Sequence, residues 1–153
     1  MDKKKIVGYI LFGIFLFSLI RLCQYYLILR VPQTGIFYLD SFLGFKPYYN
    51  SNLAFGIPFA NSLLIVINTL IIILLIDLLW RFFSRQQTTK AIAVIFILVG
   101  AFSNLIERVK YGYVLDFFHL WILPIFNLAD FFIITGVIWL VLIWYKEQTR
   151  ISY

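Results

Sequence analysis

Two aspartates stand out because each lies beside apolar sequence rather than in a solvated run of charges. Asp116 precedes two phenylalanines and Asp130 precedes a long apolar run, in a chain with seven acidic residues. Such placement is costly and favours a functional role. If the two carboxylates meet, one keeps a proton while the other ionises. The ionised group can then deprotonate a water, and the protonated group can polarise a scissile carbonyl and protonate the leaving amine.

The positions of these two residues leave other roles open. Asp130 lies where it would cap the N-terminus of a helix, since free N–H groups and the helix dipole favour a carboxylate there. Asp116 is near enough in sequence to pair with Arg108 or Lys110. Intramembrane acids also serve as proton relays in transporters. The spacing therefore permits a catalytic dyad without demonstrating it.

A second polar pattern lies upstream of the two aspartates. Gly100, Asn104 and Arg108 recur every four residues, which places them on one face of a helix. In one interpretation this face packs against another helix, with Gly100 and Ser103 allowing close approach and Asn104 hydrogen-bonding a neighbour. In the other it contributes to the site. The two interpretations are compatible.

The other potentially reactive side chains indicate no further chemistry. His119 is the single histidine and has no second histidine at ligand spacing, so we expect neither a metal nor a cofactor. Cys23 is the single cysteine, which excludes an intrachain disulfide and a CxxC site. Asp77 and Arg81 are placed to form an ion pair between successive turns of a helix.

Four apolar runs of helical length must position these residues, at 6–29, 62–79, 91–106 and 129–145. The chain is 63% hydrophobic and 13% charged, which is more apolar than soluble domains and typical of a protein in lipid. We predict an all-α polytopic membrane protein with four transmembrane helices and a single domain over 1–153. The first run resembles a secretory signal, but no small-residue cleavage site follows, so we expect it to remain as a helix.

The positive charges predict the orientation of these helices. The thirteen Lys and Arg residues lie at segment ends and form no basic face, which argues against nucleic-acid binding. The larger group comprises Lys3, Lys4, Lys5, Arg81, Arg85, Lys90, Lys146 and Arg150. The smaller group comprises Arg21, Arg30, Lys46, Arg108 and Lys110. The larger group should face the cytoplasm, which predicts that both termini and the 80–90 loop are cytoplasmic.

Two segments should then lie outside the membrane. The first, 31–61, mixes Pro and Gly with alternating aromatic residues, which predicts short strands and a small sheet on the membrane. The second, 107–128, is too apolar for a solvated loop and too short to span the bilayer. We expect it to pack in the membrane interface.

Four segments, in order, resemble the signature boxes of signal peptidase II, the lipoprotein signal peptidase family. Asn50-Ser-Asn-Leu-Ala-Phe-Gly56 is similar to its Asn-x-Gly-x-Ala-Phe box. Gly100-Ala-Phe-Ser-Asn-Leu-Ile-Glu-Arg108 is similar to its Gly-Asn-x-x-Asp-Arg box. Val114-Leu-Asp-Phe117 and Phe126-Asn-Leu-Ala-Asp130 resemble the two boxes that hold its catalytic aspartates.

The resemblance implies that Asp116 and Asp130 are the catalytic pair of an aspartic endopeptidase. Residues implied to support the dyad or bind substrate are Asn50, Asn104, Arg108 and Asn127. The implied reaction removes the signal peptide of a prolipoprotein before its diacylglyceryl-modified cysteine, near the outer face of the bacterial cytoplasmic (inner) membrane. The expected partners are this lipidated substrate and membrane lipid, with no nucleic acid and no obligate protein partner.

The sequence departs from the family pattern at several positions. Ser103 and Asn52 each replace a usual Gly, and Glu107 replaces a usual Asp. The outer end of the first helix reads Arg21-Leu-Cys-Gln-Tyr25 in place of Asp-x-x-Ser/Thr-Lys. This last change keeps open a non-catalytic membrane protein of the same fold that binds lipidated or signal-peptide helices. A small proton-coupled transporter is a third hypothesis.

Overall fold

Four long helices form the body of the molecule. The computed structural model describes residues 3–39, 42–52, 57 and 59–151. The helices are α1 (Lys3–Arg30), α2 (Asn61–Ser84), α3 (Thr88–Tyr111) and α4 (Leu128–Ile151). All four are long and apolar enough to cross a membrane, which confirms the predicted spans. The helices are longer than the apolar runs. The additional residues at their ends are mostly polar, and in the membrane interface such residues can contact water and lipid headgroups.

Helix α3 is the central element of the bundle. It packs against α1, α2 and α4. In its most apolar stretch 44% of the residues are buried inside the protein, against 11–17% for the other three helices, whose remaining surface is available to lipid. It ends at Gly112, whose left-handed φ of 80° terminates the helix while its N–H donates to the carbonyl of Arg108.

Helices α3 and α4 approach each other backbone to backbone. A Cβ placed on Gly100 would collide with the carbonyl oxygen of Ala129 in α4. A Cβ on Gly136 of α4 would lie 2.6 Å from the carbonyl oxygen of Ala93 in α3. The predicted packing role of the Gly100 face is therefore confirmed, since small residues permit this close crossing.

A four-stranded antiparallel sheet covers one end of the bundle. Its strands, in spatial order, are β1 (Ile36–Tyr38), β2 (Leu43–Asn50), β3 (Val114–Leu120) and β4 (Leu123–Phe126). The first pair confirms the small sheet predicted between α1 and α2. The second pair comes from the segment between α3 and α4, for which we predicted packing in the membrane interface; its strands were not predicted.

The sequence did not predict strand β3, because the first half of this strand is buried on both faces. Residues 114–117 are all buried, so the alternation of apolar and polar residues typical of a half-exposed strand is missing. Leu115 and Phe117 pack against Leu27, near the C-terminal end of α1, and Val31, directly after it. In register, Tyr48 of β2 lies opposite Asp116. The sheet therefore fixes the position of this aspartate relative to α1 and β2.

Candidate active site

Asp116 is a buried residue near the start of β3, with 2% of its surface exposed. Its Oδ2 accepts a hydrogen bond from Asn50 Nδ2 at 3.0 Å, and its Oδ1 accepts one from Asn127 Nδ2 at 2.8 Å. Burial, followed by the negative charge of Asp130, raises the pKa of Asp116 to about 7, against the opposing effect of the two amide hydrogen bonds. This carboxyl can therefore hold or release a proton near neutral pH.

Asp130 lies in the first turn of α4 and has two separate sets of contacts. Its Oδ1 accepts a hydrogen bond from Asn104 Nδ2 at 2.8 Å. Its Oδ2 accepts one from the backbone N–H of Asn127 at 3.2 Å, while its own backbone N–H donates to Asn127 Oδ1 at 3.0 Å. This exchange is a capping box. The predicted helix cap is confirmed, and it leaves the other carboxylate oxygen directed toward α3.

Asn127 connects the two aspartates. Its Oδ1 caps α4, whereas its Nδ2 donates to Asp116 and lies 3.3 Å from Asn104 Oδ1. The two carboxylates thus share one asparagine, and each has a second amide partner of its own, Asn50 for Asp116 and Asn104 for Asp130. The structure brings together both aspartates and three of the four residues expected to support them.

The fourth, Arg108, contacts the loop before α2 instead of the carboxylates. Its Nη2 donates to the carbonyl oxygen of Asn52 at 2.8 Å, and its Nη1 lies 3.5 Å from Asn61 Oδ1. It attracts Asp116 and Asp130 electrostatically without forming an ion pair with either in the described part of the chain. The alternative in which Asp116 pairs with Arg108 is wrong for this reason.

Lys110, the other proposed partner of Asp116, is directed elsewhere. Its Nζ lies 4.9 Å above the ring of Tyr111. No ion pair joins it to Asp116 among the described residues. This alternative is also wrong, and the surroundings of Asp116 consist of neutral amides rather than a direct cationic partner.

Asn50 is oriented by its own loop. The backbone N–H of Asn52 donates to Asn50 Oδ1 at 3.0 Å, which directs the Nδ2 of Asn50 toward Asp116. Arg108 holds the carbonyl of the same Asn52. Residues 53–56, the remainder of the first sequence box, lie outside the described residues. The contribution of this loop therefore rests on Asn50 and Asn52.

Arg21 and Glu107 are two charged residues near the site that were identified from the sequence as departures from the family pattern. Glu107 is 3% exposed, and its Oε1 accepts a hydrogen bond from Arg21 of α1 at 2.5 Å. Its Oε2 accepts one from the backbone N–H of Leu115 at 2.8 Å. Arg21 interrupts the first apolar run and Glu107 directly follows the third, and opposite charges beside apolar sequence are a signal that could have indicated this pair.

The remaining predicted polar groups lie away from the aspartates or outside their network. Asp77 and Arg81 form the expected ion pair on α2, with 2.7 Å between Oδ2 and Nε. His119 packs edge to face against Phe37. Among the described residues no group of three or more His, Cys, Asp or Glu side chains could hold a metal ion. The chemistry available here is acid–base chemistry of the two carboxyls.

The fold and this acid pair define a class: a polytopic membrane protein in which a buried and a half-buried aspartate share one asparagine where a small sheet meets a helix N-terminus. A sequence model of the signal peptidase (SPase) II family matches residues 10–146. The chain belongs to this family. It is accordingly a multi-pass bacterial membrane protein and a protease of the aspartic type known for the family.

Individual relatives agree with this assignment. The lipoprotein signal peptidase of Moorella thermoacetica is 33% identical over 122 residues, covering 78% of this chain and 81% of that protein. The lipoprotein signal peptidase of Clostridium novyi is 32% identical over 147 residues, covering 90% and 95%. A solved structure described as a bacterial membrane enzyme superposes with a TM-score of 0.78 at 24% identity, covering 95% and 92%. The last likeness supports the fold.

Proposed function

We propose that this protein removes the signal peptides of prolipoproteins before the lipid-modified cysteine, and that Asp116 and Asp130 are its catalytic residues. The pair itself carries the proposal: the two carboxylates come from β3 and α4 and share Asn127. The relatives are lipoprotein signal peptidases, which indicates the class of substrate. We further propose that the whole chain, 1–153, acts as one membrane-embedded peptidase domain, because sheet and bundle each contribute one of the aspartates.

Within the pair, we assign the proton mainly to Asp116. Its pKa is raised to about 7, chiefly by burial. Asp130 lies at the N-terminus of α4, where the helix dipole and a backbone N–H favour negative charge, and Arg108 adds attraction. Asp130 is therefore the better base and Asp116 the better acid at neutral pH.

The proposed reaction follows from this assignment. Asp130 deprotonates a water, which attacks the scissile carbonyl carbon. Asp116 donates a hydrogen bond to the carbonyl oxygen, and its proton later goes to the leaving amine. Asn50, Asn104 and Asn127 hold the two carboxyls in place, so the reacting groups are aligned before substrate binds.

We propose that this site lies at the outer face of the membrane. Tyr9, near the start of α1, donates to Thr88 at the start of α3, and Lys90 pairs with Glu147 near the end of α4. Both ends of the chain thus gather at the end of the bundle opposite the sheet. Arg81, Arg85 and Lys146 belong to the same end, which the positive-inside tendency assigns to the cytoplasm.

The non-catalytic alternative is not favoured. It was based on the altered sequence at the outer end of α1, yet neither aspartate nor any amide that bonds to them comes from α1.

Asp116→Asn and Asp130→Asn test the proposal directly. Purified protein in proteoliposomes would be incubated with a diacylglyceryl-modified prolipoprotein, and the cleaved product measured. We expect both variants to lose cleavage, while Asp77→Asn, which removes an exposed acid from α2, retains it. Cleavage at the wild-type rate by either dyad variant would refute the assignment. Binding of substrate by wild-type protein without any cleavage would favour the non-catalytic alternative.

A further inference from the structure

The outer half of α1 directs a cation toward the interior of the molecule. Arg21 Nη1 donates to Glu107 Oε1 at 2.5 Å and lies 3.4 Å from Ser103 Oγ. The side chain of Arg21 is 32% exposed and that of Glu107 is 4% exposed. A carboxyl group so deeply buried is costly without a partner, and the ion pair with Arg21 fixes the Glu107 side chain in place.

The second oxygen of Glu107 holds the strand that carries Asp116. The backbone N–H of Leu115 donates to Glu107 Oε2 at 2.8 Å. Strand β4 pairs with β3 at Phe118 and Leu120, farther along, so among the described residues no strand neighbours this edge of β3 at Leu115. The Glu107 carboxylate takes the place of a strand there and satisfies a buried N–H.

Leu115 immediately precedes Asp116, so its backbone sets where the Asp116 side chain begins. On its other edge β3 is held by β2, through pairing of Leu115 with Tyr49 and of Asp116 with Tyr48. The contacts run without a gap from Arg21 through Glu107 to Leu115. A change at Arg21 can therefore move a carboxylate that Arg21 does not touch.

We propose that Arg21 is a positioning residue for Asp116, acting through Glu107 and the backbone of Leu115. The inference rests on the proposed function, because it takes Asp116 to be one of the reacting groups. It assigns α1 a role in the chemistry of a site to which this helix contributes no direct contact.

The same contacts affect the charge balance around Asp116. The charged or ionisable groups that surround it are Arg21 of α1, Tyr48 of β2, Glu107 and Arg108 of α3, and Asp130 of α4. The negative charge of Glu107 raises the pKa of Asp116. Removing the cation of Arg21 should raise that pKa further, whereas removing the charge of Glu107 should lower it.

The test compares Arg21→Gln, Arg21→Lys, Glu107→Gln and the Arg21→Gln/Glu107→Gln double variant in proteoliposomes, with cleavage of a diacylglyceryl-modified prolipoprotein as the readout. We expect Arg21→Gln to lower kcat about tenfold to a hundredfold with little change in KM. Arg21→Lys should restore most of the rate. The alkaline limb of the pH profile should move to higher pH in Arg21→Gln and to lower pH in Glu107→Gln, with the double variant between them.

Lys90→Gln is the matched control, because it breaks an ion pair between α3 and α4, with 2.8 Å between Lys90 Nζ and Glu147 Oε2, at the far end of the bundle. It should leave the pH profile unchanged. A second readout needs no activity: hydrogen exchange of the Leu115 amide should be faster in Arg21→Gln and unchanged in Lys90→Gln.

If Arg21→Gln matches Lys90→Gln in both pH profile and Leu115 exchange, the positioning role is refuted, even where thermal stability falls. If the wild-type protein cleaves no substrate, the proposed function fails. In that case the exchange of Leu115 still decides whether Arg21 fixes this strand, with faster exchange supporting the inference and unchanged exchange overturning it. Should Arg21→Gln not fold, Glu107→Gln is compared with Lys90→Gln instead: an alkaline limb at lower pH supports the inference, and a pH profile like that of Lys90→Gln overturns it.

Discussion

Asn127 and Asp130 exchange two hydrogen bonds, from the backbone N–H of Asp130 to Asn127 Oδ1 at 3.0 Å and from the backbone N–H of Asn127 to Asp130 Oδ2 at 3.2 Å. This reciprocal cap fixes the first turn of α4. It also directs Asn127 Nδ2 away from the helix, where it donates to Asp116 at 2.8 Å. One amide side chain therefore begins a helix and links the two acids.

Replacing Asn127 separates these two tasks. A serine hydroxyl still caps a helix but is too short to reach Asp116. We expect Asn127→Ser to unfold near the wild-type temperature and to cleave about a hundredfold more slowly. Asn127→Ala loses the cap as well and should cost about 1 kcal/mol of stability. Thermal unfolding in detergent measures the loss of stability, and initial rates measure the loss of cleavage. Equal destabilisation in the two variants would contradict the idea that capping and the bond to Asp116 can be removed separately.

Cleavage should decline on the alkaline side of neutrality. The pKa of Asp116 is raised to about 7, so the proposed acid loses its proton as the pH rises through that value. We expect the rate to fall about tenfold for each further pH unit. The hydrogen bond from Asn50 lowers the pKa of Asp116, so Asn50→Leu should move this limb to higher pH. A rate that stays constant well above neutral pH would count against Asp116 as the acid.

The stability of the protein should also depend on pH through Asp116. Its pKa in the folded state lies above its unfolded value, so the folded state is favoured when the carboxyl is protonated. This stability is fully present below about pH 4 and is lost as the pH rises through about 7, by a few kcal/mol. We expect Asp116→Asn to abolish this dependence and Asp77→Asn to leave it intact, as measured by thermal unfolding against pH. Identical curves for wild type and Asp116→Asn would contradict the burial effect.

The close crossing of α3 and α4 predicts a sharp contrast between two glycines. A Cβ on Gly100 collides with the backbone of Ala129, whereas a Cβ on Gly8 of α1 meets nothing within 4 Å. We expect Gly100→Ala to cost about 1–3 kcal/mol of stability and to slow cleavage, because separating the helices stretches the bond from Asn104 to Asp130. Gly8→Ala should change neither. Wild-type behaviour of Gly100→Ala in thermal unfolding would show that the helices can separate freely.

The sequence predicted the membrane spans because an apolar run of this length is accommodated most readily as a helix across the bilayer. It also predicted the cap at Asp130, since an acid at the start of an apolar run follows a local rule. It did not predict β3, whose buried first half lacks alternation. The sequence also could not predict that Asn127 Nδ2 points toward Asp116, because that direction depends on how β3 packs beside α4.

Long-range pairs were the hardest part to predict. Arg21 and Glu107 were seen as separate departures from a family pattern, and nothing local indicates that they meet across two helices. Arg108 was expected near the aspartates, yet its closest partners are Asn52 and Asn61, because the loop before α2 returns to the end of α3. Such contacts follow from the tertiary arrangement rather than from local sequence preference.

The strand order has a consequence for biosynthesis. β2 is synthesised before α2 and α3, but its partner β3 follows both of them. During translation β2 therefore has one edge unpaired while two more helices are synthesised and inserted. Such a late, non-local closure is slow, and a nascent chain that ends before α4 lacks Asp130. If Asp116 and Asp130 form the catalytic pair, as proposed, peptidase activity arises only after the final helix has been synthesised and inserted.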